Sequence, residues 1–128
     1  MDGIPEIVAA AYETLLNERN PRITAPLQVH AQGSGFSFEY DQPIDEPNAE
    51  GIASPVRLRV VIPESFPYAE TSFFALPKDA RGFAHQDAET GKLCLEDGSR
   101  TILDDNRLTT DFDRAANWMT DAAAGQLL

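Results

Sequence analysis

The sequence predicts an α+β domain: an N-terminal helix, a four-stranded antiparallel meander, a long loop and a C-terminal helix. Three observations carry this prediction. Apolar residues recur at three- and four-residue spacing near each end of the chain, the mark of amphipathic helices. Between them lie short stretches in which apolar and polar residues alternate, the mark of half-buried strands. No helical pattern interrupts those stretches, and consecutive strands favour a meander with helices packed on it.

In the first helix, over residues 5–18, Ile4, Ile7, Val8, Ala11, Leu15 and Leu16 form one stripe. Pro5 suits a first helical position, and Asn20-Pro21 ends the run. A first strand is expected over residues 27–31, where Leu27, Val29 and Ala31 share a parity. A second spans 36–40, with Phe36, Phe38 and Tyr40 on one face and Ser37 and Glu39 on the other. Gly33-Ser34-Gly35 between them reads as a hairpin turn. Residues 41–55, rich in proline and acid, read as an extended loop. The third strand, 56–62, sets Leu58, Val60 and Ile62 against Arg57, Arg59 and Val61, and Pro63 stops it. Residues 71–76 form an aromatic-rich fourth strand. The group Phe66, Tyr68, Phe73 and Phe74 is expected in the core. From 77 to 106 no period is sustained, and such a stretch in a compact domain is functional or disordered. Thr110 is the expected N-cap of the closing helix, with Asp113 three residues on and Gly125 as its C-cap. Phe112, Ala115, Ala116, Met119, Ala122 and Ala123 form its stripe, with Trp118 at the edge.

The 128 residues are the length of one domain, taken as 1–128, with enough chain to bury a core without staples. Ten basic and 21 acidic side chains give a net charge of −11. That balance argues against nucleic acid and anionic membranes, which both reward Lys and Arg. The acidic start lacks the basic region of a secretory signal, and no apolar run approaches the roughly 20 residues that span a bilayer. A cytoplasmic protein is expected. A single cysteine excludes an internal disulfide. His30, His85 and Cys94 are the only soft metal-ligand candidates and are not closely spaced, so no metal site is expected. No glycine-rich phosphate loop is present, so any ATP would be used by a partner, and no cofactor is expected.

The chemistry centres on Cys94, within the run His85-Gln86-Asp87-Ala88-Glu89-Thr90-Gly91-Lys92-Leu93-Cys94-Leu95-Glu96-Asp97-Gly98. A lone cysteine is often just a small buried hydrophobe. If this chain does covalent chemistry, its sulfur is the candidate nucleophile, acting as thiolate. Asp87, Glu89, Glu96 and Asp97 surround it in sequence, against Lys92 and Arg100. Like charge disfavours a thiolate and raises its pKa. The expectation is an unactivated thiol.

The element order and this loop resemble the ubiquitin-conjugating enzyme family. Val60-Val61-Ile62-Pro63-Glu64-Ser65-Phe66-Pro67-Tyr68 is similar to the family's third strand entering its Tyr-Pro-Phe turn, with the aromatic order exchanged. Residues 71–76 fall where its fourth strand belongs. His85-Gln86-Asp87 falls at its His-Pro-Asn signature, and Gly91-Lys92-Leu93-Cys94-Leu95 matches its Gly-x-x-Cys-Leu. The resemblance runs along the whole chain and is strongest over residues 58–95. The chain departs from the family in lacking the proline and asparagine of the signature. Its His-to-Cys interval is one residue shorter, it has one helix after the cysteine, and Arg19 is the only basic residue of its first helix. These departures resemble compact bacterial members found beside activating enzymes and isopeptidases, or in cyclic-oligonucleotide antiviral defence.

The resemblance implies a transferase. Cys94 would accept a ubiquitin-like modifier, or another protein's C-terminal glycine, as a thioester from an activating enzyme. It would then pass that group to an amine or thiol on an acceptor protein, a nucleotidyltransferase in the defence systems. His85 would act as a supporting residue, mainly by bonding within the loop, although a role as base stays open. Asp87 takes the place of the family's asparagine; as a carboxylate it can only accept hydrogen bonds, so it cannot serve as an oxyanion donor. Backbone N–H groups beside Cys94 are the alternative donors. Two other readings stand beside this one: a catalytically silent domain of the same fold acting as a protein-binding module, and a small thiol hydrolase using Cys94 and His85.

Overall fold

The structure is a computed structural model, and it describes residues 3–30, 34–44, 54–66, 68–76, 92–93 and 107–123. Two helices and a four-stranded antiparallel sheet make up its named elements, in the order α1 (Glu6–Arg19), β1 (Arg22–Val29), β2 (Phe36–Gln42), β3 (Val56–Ile62), β4 (Ser72–Leu76) and α2 (Arg107–Ala123). The strands lie side by side in sequence order, a plain meander.

Helix α1 buries Val8, Ala11, Tyr12 and Leu15. Glu6 in its first turn and Arg19 in its last both suit the helix dipole. Asn20 ends it in the left-handed region (φ 46°), donating its N–H to the Leu16 carbonyl at 3.0 Å. Two details differ from expectation. Pro5 is the N-cap and not the first helical residue: its ψ of 148° is extended, and its carbonyl accepts from Val8 and Ala9. Ile7 is 44% exposed. It sits about 100° round the helix from Val8, and Tyr12 fills the core side instead, its ring edge-on to Phe38 at 5.0 Å.

Strand β1 begins five residues before the expected 27. Its pairing with β2 slips between Ile23 and Ala25 and again between Ala25 and Gln28. Those irregularities break the two-residue parity. Only Leu27 of the strand is buried. Pro26 is tolerated because β1 lies at the sheet's edge. The hairpin closes through His30 N–H to the Gly35 carbonyl at 2.9 Å. Gly35 has φ 102°, and a Cβ there would lie 2.4 Å from the Ile62 carbonyl oxygen. No other residue fits that turn without moving β3. Gly33 lies outside the described residues.

Strands β2 and β3 pair in unbroken register from Phe36↔Ile62 to Gln42↔Val56. Phe36, Phe38 and Tyr40 meet Val56, Leu58, Val60 and Ile62 on the buried face, as the alternation predicts. The other face carries the cross-strand pairs Arg57–Asp41 and Arg59–Glu39, each at 3.2 Å; such pairs contribute about 0.2–1 kcal/mol. β4 turns Phe73 and Ala75 inward and leaves Phe74 half-buried.

The expectation of a four-aromatic core group holds for Phe66 and Phe73 and fails for Tyr68, which is 72% exposed. Two consecutive turns explain this. Phe66 N–H donates to Pro63 and Tyr68 N–H to Ser65, so the chain reverses between the two rings.

Helix α2 begins at Arg107, one turn before the expected cap, and Thr110 lies inside it. Leu108, Phe112, Ala115, Trp118, Met119 and Ala122 are buried, while Ala116 of the expected stripe is only partly so. Gly125 lies outside the described residues. Phe112 packs on Tyr40 at 5.0 Å. Phe38 and Tyr40 share one face of β2, so both helices cover that same face, and the core lies between. Arg19 ties α1 to α2 through two bonds to the Asp113 carboxylate, at 2.9 and 2.8 Å. Among the described residues no helix is long and apolar enough to cross a membrane.

Candidate functional site

The sheet has one edge at β4, and a short segment from the loop region docks there. Residue 92 forms an isolated antiparallel bridge with Phe74. Leu93 N–H donates to the Phe73 carbonyl at 2.8 Å. Its side chain is 2% exposed and joins the core. A single apolar residue, flanked by Lys92 and Cys94 in sequence, thereby anchors the chain to the β4 edge of the sheet and to the core. Lys92 itself stays partly buried.

Cys94 follows this anchor in the chain. Cys94, His85 and Asp87 all lie outside the described residues. What is described is the point at which the chain arrives beside β4, one residue before the thiol.

A second polar arrangement sits at the start of α2. Arg107, 2% exposed, bonds through Nε to Oδ2 of Asp111 at 3.2 Å. Arg114 approaches the other carboxylate oxygen at 4.0 Å. The three residues fall at i, i+4 and i+7, on one side of the helix. A cation at a helix N-terminus opposes the dipole, and no acidic residue lies in this first turn. Asp111 supplies the compensating charge from the next turn. Burial pushes the Asp111 carboxyl above its ordinary range; Arg107 and then Arg114 oppose that shift, and the charge of Glu70 adds to it. The hydroxyls of Thr71 and Thr109 are buried with no hydrogen-bond partner among the described residues.

Neither arrangement was predicted as part of a site. Leu93 stood within the quoted Gly-x-x-Cys-Leu run, yet one apolar residue in an aperiodic stretch carries no signal of burial. The Arg107–Asp111–Arg114 spacing was legible, once the helix is extended one turn backward. Among the described residues no group of three or more His, Cys, Asp or Glu side chains is placed to hold a metal.

Compared with protein-family models the chain matches none, and no curated protein matches it.

Proposed function

We propose that this chain is a ubiquitin-conjugating-like acyl carrier using Cys94. The thiol would attack a thioester on an activating enzyme, forming a new thioester to the modifier's C-terminal carbonyl and releasing the donor's thiol. An amine or thiol on the acceptor protein would then attack that carbonyl and free Cys94. Each step exchanges one acyl bond for another and needs no oxidant or metal.

The observation that carries this reading is the anchor at Leu93. A reacting group works best on rigid support, and the residue preceding Cys94 is fixed by a backbone bond to β4 and a buried side chain. The helix–meander–helix order supports the reading at the level of architecture. The experiment combines the protein with an activating enzyme and modifier of the resembled bacterial systems and ATP, followed by a non-reducing gel. An adduct sensitive to dithiothreitol is expected, with Cys94→Ser giving a stable ester or none. An adduct that persists in Cys94→Ala overturns the proposal.

One observation favours a second reading. Gln86 and Asp87 stand where the resembled family has proline and asparagine, which suits a silent domain that only binds protein. That reading expects Cys94 to react slowly with iodoacetamide and no adduct to form.

A further inference from the structure

A cleft of about 510 Å³ opens where the end of α1 meets the start of β1. The C-terminal end of α1, the start of β1, the end of β2 and the residues leading into β3 form its walls. Its volume is that of a small-molecule site. Pro21, Pro43 and Pro55 give it stiff apolar walls, and Tyr40 and Phe112, packed ring on ring, form its inner end.

The polar groups of the cleft are mostly donors. Arg22 is exposed at the rim, and its guanidinium has no ion pair or hydrogen bond among the described residues. Asp41, opposite it in register, is already held by Arg57. Arg19 is likewise matched by Asp113. Among the described residues the rim therefore carries one guanidinium in excess, in a chain whose net charge is −11. Ser54 accepts the N–H of Ile44 at its oxygen, which leaves its own hydrogen to donate.

At the inner end, the Tyr40 hydroxyl is fully buried with no hydrogen-bond partner among the described residues. Burial pushes its phenol pKa upward, so it stays a protonated donor. A buried donor without an acceptor is costly, and phenylalanine would fill the same space without that cost. An acceptor atom arriving from the cleft would remove it.

We propose that this cleft binds a small organic anion with a flat aromatic body, its charged group on Arg22, its ring between the proline walls and an acceptor atom at its inner end on the Tyr40 hydroxyl. Carboxylate and phosphate share the required chemistry. The site is independent of the chemistry proposed for Cys94.

The test is amide NMR of the full chain, titrated separately with 4-nitrophenyl phosphate and 4-nitrophenylacetate, whose nitro oxygens supply the inner acceptor. 4-Nitrobenzyl alcohol and inorganic phosphate are the controls, lacking the charge and the ring respectively. Saturable shifts are expected around residues 20–22, 40–43 and 112, with the tighter aryl anion identifying the charged group. Arg22→Ala should weaken binding about tenfold, and each control should bind about tenfold more weakly or worse. Tyr40→Phe should keep the folded spectrum and weaken binding about threefold or more. The absence of saturable shifts with both aryl anions overturns the proposal. So does inorganic phosphate binding as well as they do, or undiminished binding by Arg22→Ala. Undiminished binding by Tyr40→Phe overturns it as well.

Discussion

Truncating Leu93 to alanine tests whether the chain before Cys94 is part of the core or only rests against it. The side chain is 2% exposed, so almost all of its transfer free energy is at stake, about 1.5–3 kcal/mol for a leucine. Close packing adds a cavity cost, and buried Leu→Ala changes total about 2–5 kcal/mol. The backbone bond from Leu93 to Phe73 survives the substitution and limits collapse of the site. About 3 kcal/mol is therefore expected, a fall in melting temperature of about 10 °C for a chain of this size. Urea denaturation followed by tryptophan fluorescence reads the loss, since Trp118 belongs to the same core. Iodoacetamide labelling of Cys94 read alongside it separates global loss from local release. A cost below about 1 kcal/mol with faster labelling would mean that the segment peels off alone, refuting the anchor.

Gly35→Ala should cost about 2 kcal/mol or more, because its φ of 102° and the Ile62 carbonyl 2.4 Å from a Cβ both oppose a side chain; an unchanged urea midpoint would contradict the turn geometry. Asp111 should make a pH-dependent contribution with a definite sign. Burial, the larger effect, holds its native pKa above 3.8. Between 3.8 and that raised value the folded chain keeps a proton that the unfolded chain has lost, so this contribution is full below 3.8 and declines as pH rises through the native value. Urea titrations at several pH values should show wild type losing stability relative to Asp111→Asn across that window; a relative gain would reverse the assignment. Tyr68→Ala, at a ring 72% exposed, should leave stability within about 0.5 kcal/mol, and a larger loss in thermal melting would return that ring to the core.

The sequence was most readable where one face of an element is buried and the backbone is regular. β3 carries strict alternation and no irregularity, and its bounds of 56–62 are those expected. β1 was half-missed because two register slips and Pro26 erase the period that reveals a strand. The start of α2 was missed because its first residue is a buried arginine: a charged side chain looks solvent-facing until its partner one turn later is seen. Tyr68 was misplaced because apolar character says nothing about turn direction. In the candidate site, the motif drew attention to residues 91–95, whereas the bond that fixes Leu93 joins residues 20 apart in sequence and leaves no periodic trace. Cys94, His85 and Asp87 rest on residue type and resemblance.

The clamp between Arg19 and Asp113 spans 94 positions of chain. Its consequence concerns the order of events as the protein forms. Helix α1 leaves the ribosome before the four strands, yet its partner helix is made only after them. Fourteen residues are marginal as an isolated helix in water. The stripe of Val8, Ala11, Tyr12 and Leu15 must therefore wait for strands and helix that do not yet exist. Contacts of such long sequence separation slow folding and make it an all-or-none event. A nascent chain stopped before residue 107 should thus hold its first helix exposed, a state in which chaperones, and not the finished fold, protect it.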